Sequence, residues 1–396
     1  MKLNLNKIWQ QLGIATNWPV LVAVLVLSSM GLISILAANP ADAYKQCVFL
    51  GVSLGCMALF QVVNYQTLGR LAWGFYAISM MLVIYTVIGG MAEAHHHPLP
   101  FVHNTKGVYA WINFGQFSLE PAELMKIATV LVLARYLRYR SNYRTLSGLV
   151  PPFIIALVPL ILILKQPDLG MAMIFLPLLF TMLFVAGAKV KHLVSITLVF
   201  VVLAPLVWFS GSKNVPVLKH GPQIVKKYQR ERLLSWLDAN DPNERQRTAY
   251  QTYRAMVAFA SGSFVGKGFG NIPVGKSVPE SHNDMIFALI GEQFGFFGAI
   301  VLLVSYLVLF AAGVEISAAT KEPFGRLVAI GIVAALACQT FINLMVCTGL
   351  MPVTGITLPF VSYGGSSLVA SFMEAGLLLN IGQNRPLVLA KEAFEF

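Results

Sequence analysis

Three short polar motifs lie at the edges of long apolar runs and contain the side chains best suited to chemistry. They are LEPAELMK (residues 119–126), KQPDLG (165–170) and VPESHND (278–284). Carboxylate, ammonium and imidazole groups at such boundaries can transfer protons or hold an anionic substrate. Ionisable groups within apolar segments cost on the order of 3 kcal/mol each, so they indicate a functional site more strongly than in soluble proteins.

Asp284 ends the third motif and directly precedes the apolar run MIFALIGEQFGFFG. Its carboxylate could act as a general base, or it could cap the following helix, since Ser281-x-x-Asp284 resembles a capping box. Small residues permit close helix packing, and a stripe of them continues near the same helical face as Asp284: Ala288, Gly291, Gly295 and Gly298. This pattern predicts that Asp284 faces the protein interior. It is consistent with both roles, the general base and the helix cap.

The other two motifs each combine acids with a lysine. Glu120, Glu123 and Lys126 recur every three residues and share one helical face, although acids in a first turn also complement the helix dipole. In KQPDLG, Asp168 can cap the next helix. Lys165 could hold a phosphate as a point charge or extend to the membrane interface.

Composition assigns the chain to the membrane. Of 396 residues, 57% are hydrophobic and 11% are charged, whereas soluble domains carry about 25% charged residues. We therefore predict an all-α polytopic membrane protein, with residues 1–396 as a single domain. Counting runs of about 20 apolar residues predicts about ten transmembrane helices, near 18–37, 45–63, 69–90, 119–137, 149–164, 169–188, 191–210, 284–312, 326–347 and 366–384.

Basic residues predict the orientation. Those in short connections fall on one side of the predicted helices, so both termini are expected in the cytoplasm and the membrane is expected to be the cytoplasmic (inner) membrane. The long extracytoplasmic loop, residues 211–283 between spans 7 and 8, is also basic, but the rule applies only to loops of up to about 60 residues. The net charge of +11 indicates contact with anionic membrane lipid and an anionic ligand. Nucleic acid is not expected, because no nucleic-acid module accompanies the charge.

Several remaining polar features are weaker. One face of a helix in the outer loop is predicted to be buried through Tyr253, Met256, Val257 and Phe259. Ser366, in SYGGSS (residues 362–367), could help to bind an anion or simply form a turn and cap. Other isolated polar groups have no evident partner or role: Glu292 and Glu374 deep in spans, and the histidines 95–97 and 103, which suit an exposed loop better than a metal site.

The motifs together resemble one family. LEPAELMKIA, KQPDLG, ERLLSWLDANDP, VPESHNDMIFALIGEQFGFFG and GLMPVTGITLPFVSYGG occur in this order from Lys106 onward. They resemble the SEDS proteins (shape, elongation, division and sporulation), and the last motif is more similar to RodA, the elongation member, than to FtsW, the division member. Four positions depart from the family pattern: Ala110 replaces an arginine, Glu120 a glutamine, Ala122 a serine and Asn283 a threonine.

The resemblance implies a peptidoglycan glycosyltransferase that polymerises lipid II at the outer leaflet, with a class B penicillin-binding protein as transpeptidase partner. It implies that Asp284 is the catalytic acid residue. The predicted substrate-binding set is Glu123, Lys126, Lys165, Asp168, Glu280, His282 and Ser366. The motifs identify no specific cofactor or metal ligand, and a divalent cation, Mg or Mn, could help to neutralise the leaving pyrophosphate.

Two other functions fit a polytopic protein with intramembrane charges. Transporters also place charges along substrate pathways, so a flippase for lipid-linked cell-wall precursors is the main alternative. A flippase needs polar groups reachable from both sides, whereas most candidates here lie near the outer end of their helices. A non-catalytic scaffold of the cell-wall machinery is the third hypothesis.

Overall fold

The structure, a computed structural model, describes residues 17–94, 99–102, 108–115, 117–140, 142–209, 230, 232–234, 236 and 250–383. Within these ranges it contains eleven α-helices and one short β-hairpin. The helices are α1 Trp18–Ala38, α2 Pro40–Val62, α3 Tyr65–Ala94, α4 Pro121–Tyr139, α5 Val150–Lys165, α6 Leu169–Ala186, α7 Val190–Phe209, α8 Tyr250–Ser261, α9 Ile286–Ala319, α10 Pro323–Cys347 and α11 Gly365–Gln383. The hairpin pairs β1 Ile112–Phe114 with β2 Phe117–Leu119.

All of these helices except α8 coincide with the predicted spans. Eight are long and apolar enough to cross a membrane, and α7 adds a shorter apolar stretch, Val190–Leu203. The remaining helix, α4, falls outside that group because it carries Glu123, Lys126 and two arginines. The all-α polytopic architecture is confirmed, whereas the single-domain boundary of 1–396 stays a prediction.

The polar helices lie inside the bundle. Helix α11 packs along α2 and is almost wholly buried, while α10 packs against α4, α6 and α9. Helix α1 packs along α9, and α3 packs along α4. Because α4, α10 and α11 are enclosed by other helices, their charged and amide side chains can meet one another away from lipid.

Helix α9 is broken at Gly295, whose φ of 64° and ψ of −160° interrupt the helix. The break frees backbone groups at both half-helix ends, and the outer loop satisfies them: Glu292 O accepts from Lys267 N at 2.9 Å, and Phe296 N donates to Ser263 O at 2.9 Å. Residues 296–319 alone extend roughly 36 Å at about 1.5 Å per residue, enough to cross a hydrocarbon core of about 30 Å. The segment before the break can therefore belong to the outer face.

The buried face predicted for the helix now labelled α8 is wrong. Its buried residues are Thr252, Ala255 and Ala258, whereas Tyr253 is exposed and Phe259 is half-buried. Small residues allow α8 to approach α9 closely. The predicted small-residue stripe of α9 is buried as expected, and its Gly291 lies against the Phe259 ring of α8.

Candidate active site

The α10–α11 loop, residues 348–364, is the feature around which the polar motifs gather. Although it lacks regular structure, it buries Ile356, Leu358 and Phe360. Helix α6 begins directly against it, because a Cβ on Gly170 would lie 2.3 Å from Ile356 Cγ1. Only glycine allows this approach, so the KQPDLG motif is held beside the loop.

Asp284 lies in the turn before α9, and its side chain is only 8% exposed. Gln251 of α8 donates its Nε2 to the two carboxylate oxygens at 3.1 and 3.3 Å. Helix α9 begins at Ile286, with Met285 as its N-cap residue and without a side-chain cap bond. The predicted capping box is therefore wrong. The carboxylate is held by Gln251 of α8, and α9 begins two residues after Asp284.

A polar stripe on α10 connects this turn to the α10–α11 loop. Gln339, Asn343 and Cys347 are four residues apart and so share one helical face. Asn343 donates its Nδ2 to the backbone oxygens of both Asp284 and Ile356, each at 2.7 Å. Cys347 Sγ is 3.3 Å from the same Asp284 oxygen. The backbone of Asp284 is thus fixed to a core helix.

The other end of that stripe meets a buried charge cluster. Lys126 Nζ is 2.9 Å from Glu123 Oε2, 2.7 Å from Gln339 Oε1 and 3.4 Å from Glu374 Oε1. The side chains of all three ionisable residues are at most 2% exposed. Gln339 in turn donates to Thr357 O of the α10–α11 loop at 3.2 Å. Glu374, which had no evident partner in the sequence, is therefore paired with Lys126.

Asp168 belongs to a second acidic group at the starts of α4 and α6. It accepts from Met171 N at 3.0 Å, which confirms the predicted cap of α6. Burial, with the nearby charge of Glu123, raises the pKa of Asp168 to about 6, although the Met171 N–H and the charge of Arg232 oppose the shift. Burial and the charges of Asp168 and Glu123 also raise the pKa of Glu120 well above its usual range.

Two further residues of VPESHND, His282 and Asn283, bond to the α10–α11 loop, and His282 also lies near the start of α2. Asn283 donates its Nδ2 to Glu280 Oε2, and its backbone oxygen accepts from Ser362 Oγ. His282 Nε2 lies 3.7 Å from Asp42 Oδ2, and its backbone oxygen accepts from Tyr363 N at 2.9 Å. The motif is consequently a rigid turn in which Asp284 is the buried carboxylate.

Two predicted residues lie apart from Asp284. Ser366 Oγ accepts from Glu120 N at 3.0 Å and donates to Ser118 O, so it joins the start of α11 to the start of α4. Lys165 has an exposed side chain at the end of α5, while the adjacent Gln166 is buried and bonded to α3. The substrate-binding roles of both residues stay predictions.

Glu292 anchors the outer loop to α9. Its Oε1 accepts from Lys267 Nζ at 2.6 Å and from Val274 N at 3.2 Å, and its Oε2 accepts from Gly275 N at 2.5 Å. The side chain is fully buried. A carboxylate that had no evident partner in the sequence therefore holds the segment between α8 and α9 against α9.

A metal site is not evident in the part of the chain that the structure describes. No group of three or more histidine, cysteine, aspartate or glutamate side chains there is placed to hold an ion. The histidines 95–97 and 103 lie outside the described residues. Glu120, Glu123 and Asp168, although electrostatically coupled, do not form such a group.

Sequence reasoning missed Gln251, Gln339 and Asn343. The spacing of Gln339 and Asn343 within the apolar run AALACQTFINLMVC was a usable signal, because two amides on one face of a membrane helix need partners. Gln251 offered no such signal, since it lies in a polar loop segment.

The family model described as "Cell cycle protein", which covers FtsW, RodA and SpoVE, matches residues 9–386. The chain belongs to this family, the SEDS proteins. Among its relatives, the probable peptidoglycan glycosyltransferase FtsW of Geobacter sulfurreducens is 31% identical over 91% of this chain and 94% of the relative. The stage V sporulation protein E of Bacillus subtilis is 32% identical over 91% of this chain and 95% of the relative.

Solved structures agree with this SEDS fold. A chain from a study of how a peptidoglycan synthase complex coordinates polymerization and crosslinking has a TM-score of 0.77 and 29% identity, covering 94% of this chain and 99% of that one. Thermus thermophilus RodA has a TM-score of 0.67 and 27% identity, covering 94% and 98% respectively. Because the relatives carry FtsW, SpoVE and RodA names, they establish the family rather than one member of it.

Proposed function

We propose that this SEDS protein is a peptidoglycan glycosyltransferase that polymerises lipid II at the outer face of the cytoplasmic membrane, for cell elongation. The enzyme class agrees with the names of its relatives. The main support from the structure is the buried Asp284 carboxylate, which Gln251 orients and which does not cap α9. Such an arrangement suits a group whose work is proton transfer.

In this mechanism Asp284 is the general base. Its carboxylate takes the proton from the acceptor 4-hydroxyl as that oxygen bonds to the donor anomeric carbon. The bond from this carbon to the pyrophosphate breaks with inversion, and the electron pair leaves with the lipid pyrophosphate. A positioned base contributes about 10² to 10⁴ in rate.

The negative charge of the departing pyrophosphate is stabilised by basic residues on the proposed outer side of the protein. Among the described residues, we assign this role to Arg232, which donates to Val353 O at 3.2 Å and acts electrostatically on Asp168, together with the exposed Lys165. Lys126 is less suited to this role because its ammonium already lies between two carboxylates and an amide. We therefore assign Lys126 to positioning the α10–α11 loop.

The contacts favour an enzyme over a flippase. The two carboxylates deepest in their helices, Glu292 and Glu374, would be the natural markers of a path across the membrane. Each is fully buried: the backbone amides of the outer loop bind Glu292, and Lys126 pairs with Glu374. Both carboxylates therefore bond to partners within the protein, and neither requires a transported substrate as its partner.

We further propose that both termini are cytoplasmic and that a class B penicillin-binding protein is the partner. A related chain comes from a synthase complex that couples polymerization to crosslinking. The orientation is testable by cysteine labelling of intact cells at positions in the short basic connections.

Polymerisation of purified lipid II, with and without the partner, tests the function. Asp284→Asn should fold normally and lose about 10²-fold or more of the rate, because Gln251 can still bond the amide but the base is absent. Glu93→Gln, at the outer end of α3, is the matched control and should keep its activity. Unchanged polymerisation by Asp284→Asn would refute the mechanism. If folded wild-type protein forms no glycan even with the partner, a flippase or a scaffold is favoured.

A further inference from the structure

A lateral pocket of about 650 Å³ lies between α3, α4 and α5, away from Asp284. Ligand sites usually measure about 300–1,000 Å³. Its walls are almost entirely apolar and include Tyr76 and Met80 of α3 and Ile155 of α5. The Tyr76 hydroxyl donates to Ile155 O at 2.8 Å, so its hydrogen is already bonded within the protein.

One end of the pocket is basic. Arg135 and Arg140, from the last turns of α4, both line it, and none of its lining residues is acidic. Glu322 is already paired with a third arginine of α4, Arg138, at 3.0 Å. Arg135 donates one guanidinium nitrogen to Gly69 O and keeps its other donors. The charge at this end therefore suits a single anionic group.

The other end of the pocket opens sideways along α5. Ile154 and Val158 line it and are 55% and 42% exposed. Val158 lies about 12 Å along α5 from Val150 at about 1.5 Å per residue. Trp73, which is 48% exposed, also lines the pocket, as expected of an aromatic residue at a membrane interface. A soluble anion would not reach this depth, whereas an acyl chain would.

We propose that this pocket binds one anionic phospholipid, with its phosphate at Arg135 and Arg140 and an acyl chain along Ile154 and Val158. Basic pockets between transmembrane helices on the cytoplasmic side bind such headgroups. The short connections there carry the excess of arginine, which places the pocket in the cytoplasmic leaflet if the termini are cytoplasmic. The site is remote from the proposed catalytic turn and does not depend on its chemistry.

Native mass spectrometry of the purified full-length chain tests the proposal. The protein is titrated with phosphatidylglycerol or phosphatidylcholine of identical acyl chains, and the lipid retained on the folded protein is counted. We expect one retained phosphatidylglycerol and a clear preference over phosphatidylcholine. Arg140→Gln should weaken phosphatidylglycerol about fivefold, since one basic residue near an anionic headgroup contributes about 1 kcal/mol.

Two further variants separate the charge from the cavity. Arg144→Gln removes an equally exposed arginine near Gly187, outside the pocket, and should leave binding unchanged. Ile154→Trp should fill the cavity and reduce retention of both lipids. Equal retention of both lipids by the wild type, equal losses in the two arginine variants, or full retention by a folded Ile154→Trp protein would each overturn the proposal.

Discussion

Replacing Lys126 with methionine tests the buried charge cluster most directly. Its ammonium lies 2.9 Å from Glu123 and 3.4 Å from Glu374, and none of the three side chains is more than 2% exposed. Lys126→Met keeps the length of the side chain but leaves two buried carboxylates without their cation. Breaking a buried pair in this way costs about 3–5 kcal/mol, because a buried charge is left uncompensated.

The compensated variant Lys126→Met/Glu123→Gln/Glu374→Gln removes all three charges without a large change in volume. Replacing a whole buried ionic group is often neutral or stabilising, so this variant should recover most of the lost stability. Thermal unfolding in detergent, followed by tryptophan fluorescence, measures both effects. The glutamines can also supply a donor for Gln339 Oε1, which should keep Gln339 on Thr357 O of the α10–α11 loop.

Polymerisation by the compensated variant then decides the role of Lys126. If the ammonium only positions the loop, activity should return together with stability. A stable but inactive compensated protein would instead mean that Lys126 or Glu123 contacts the substrate, contrary to the purely positioning role assigned above. The electrostatic argument itself fails if Lys126→Met unfolds at the same temperature as the wild type.

Three further predictions follow from single contacts. Asn343→Leu leaves the backbone oxygens of Asp284 and Ile356 without their amide donor, at about 1–3 kcal/mol each, and should lower both the unfolding temperature and the polymerisation rate. Gly295→Ala forces a Cβ into a backbone region that is nearly exclusive to glycine, at about 1–3 kcal/mol, and should also lower the unfolding temperature. The pKa of Asp168 is raised to about 6 from the ordinary aspartate value near 4, so the wild type loses stability as the pH rises from about 4 through 6. Asp168→Asn, which keeps the cap, should reduce this dependence in unfolding scans, and the raised pKa of Glu120 accounts for the part that remains.

Each of these predictions has a contrary outcome. Wild-type stability in Asn343→Leu would mean that water or Cys347 satisfies the two oxygens. Gly55→Ala is the control for the glycine change, since a Cβ there meets nothing within 4 Å, and helical alanine is about 1 kcal/mol better than glycine. Equal losses in the two glycine variants would contradict the strain argument. A pH dependence that is undiminished in Asp168→Asn would have to come from another group.

The sequence alone determined the helices and the catalytic candidate. Apolar runs of about 20 residues predict spans because a lone helix must satisfy its own backbone in lipid, and ten of the helices lie where those runs predicted. The motif around Asp284 was also evident, because an acid at the edge of an apolar run is conspicuous without any partner. These are local properties of the chain.

The tertiary structure decided what each polar group contacts. Glu374 pairs with Lys126, Gln251 orients Asp284, and Glu292 binds the outer loop, none of which periodicity could predict. The predicted capping box at Asp284 was wrong, because α9 begins only at Ile286 and the Asp284 carboxylate accepts from Gln251 of α8. Local propensity determines where a helix runs, but the pairing of buried charges depends on which helices pack together, and side chains more than 200 residues apart meet only in the folded bundle.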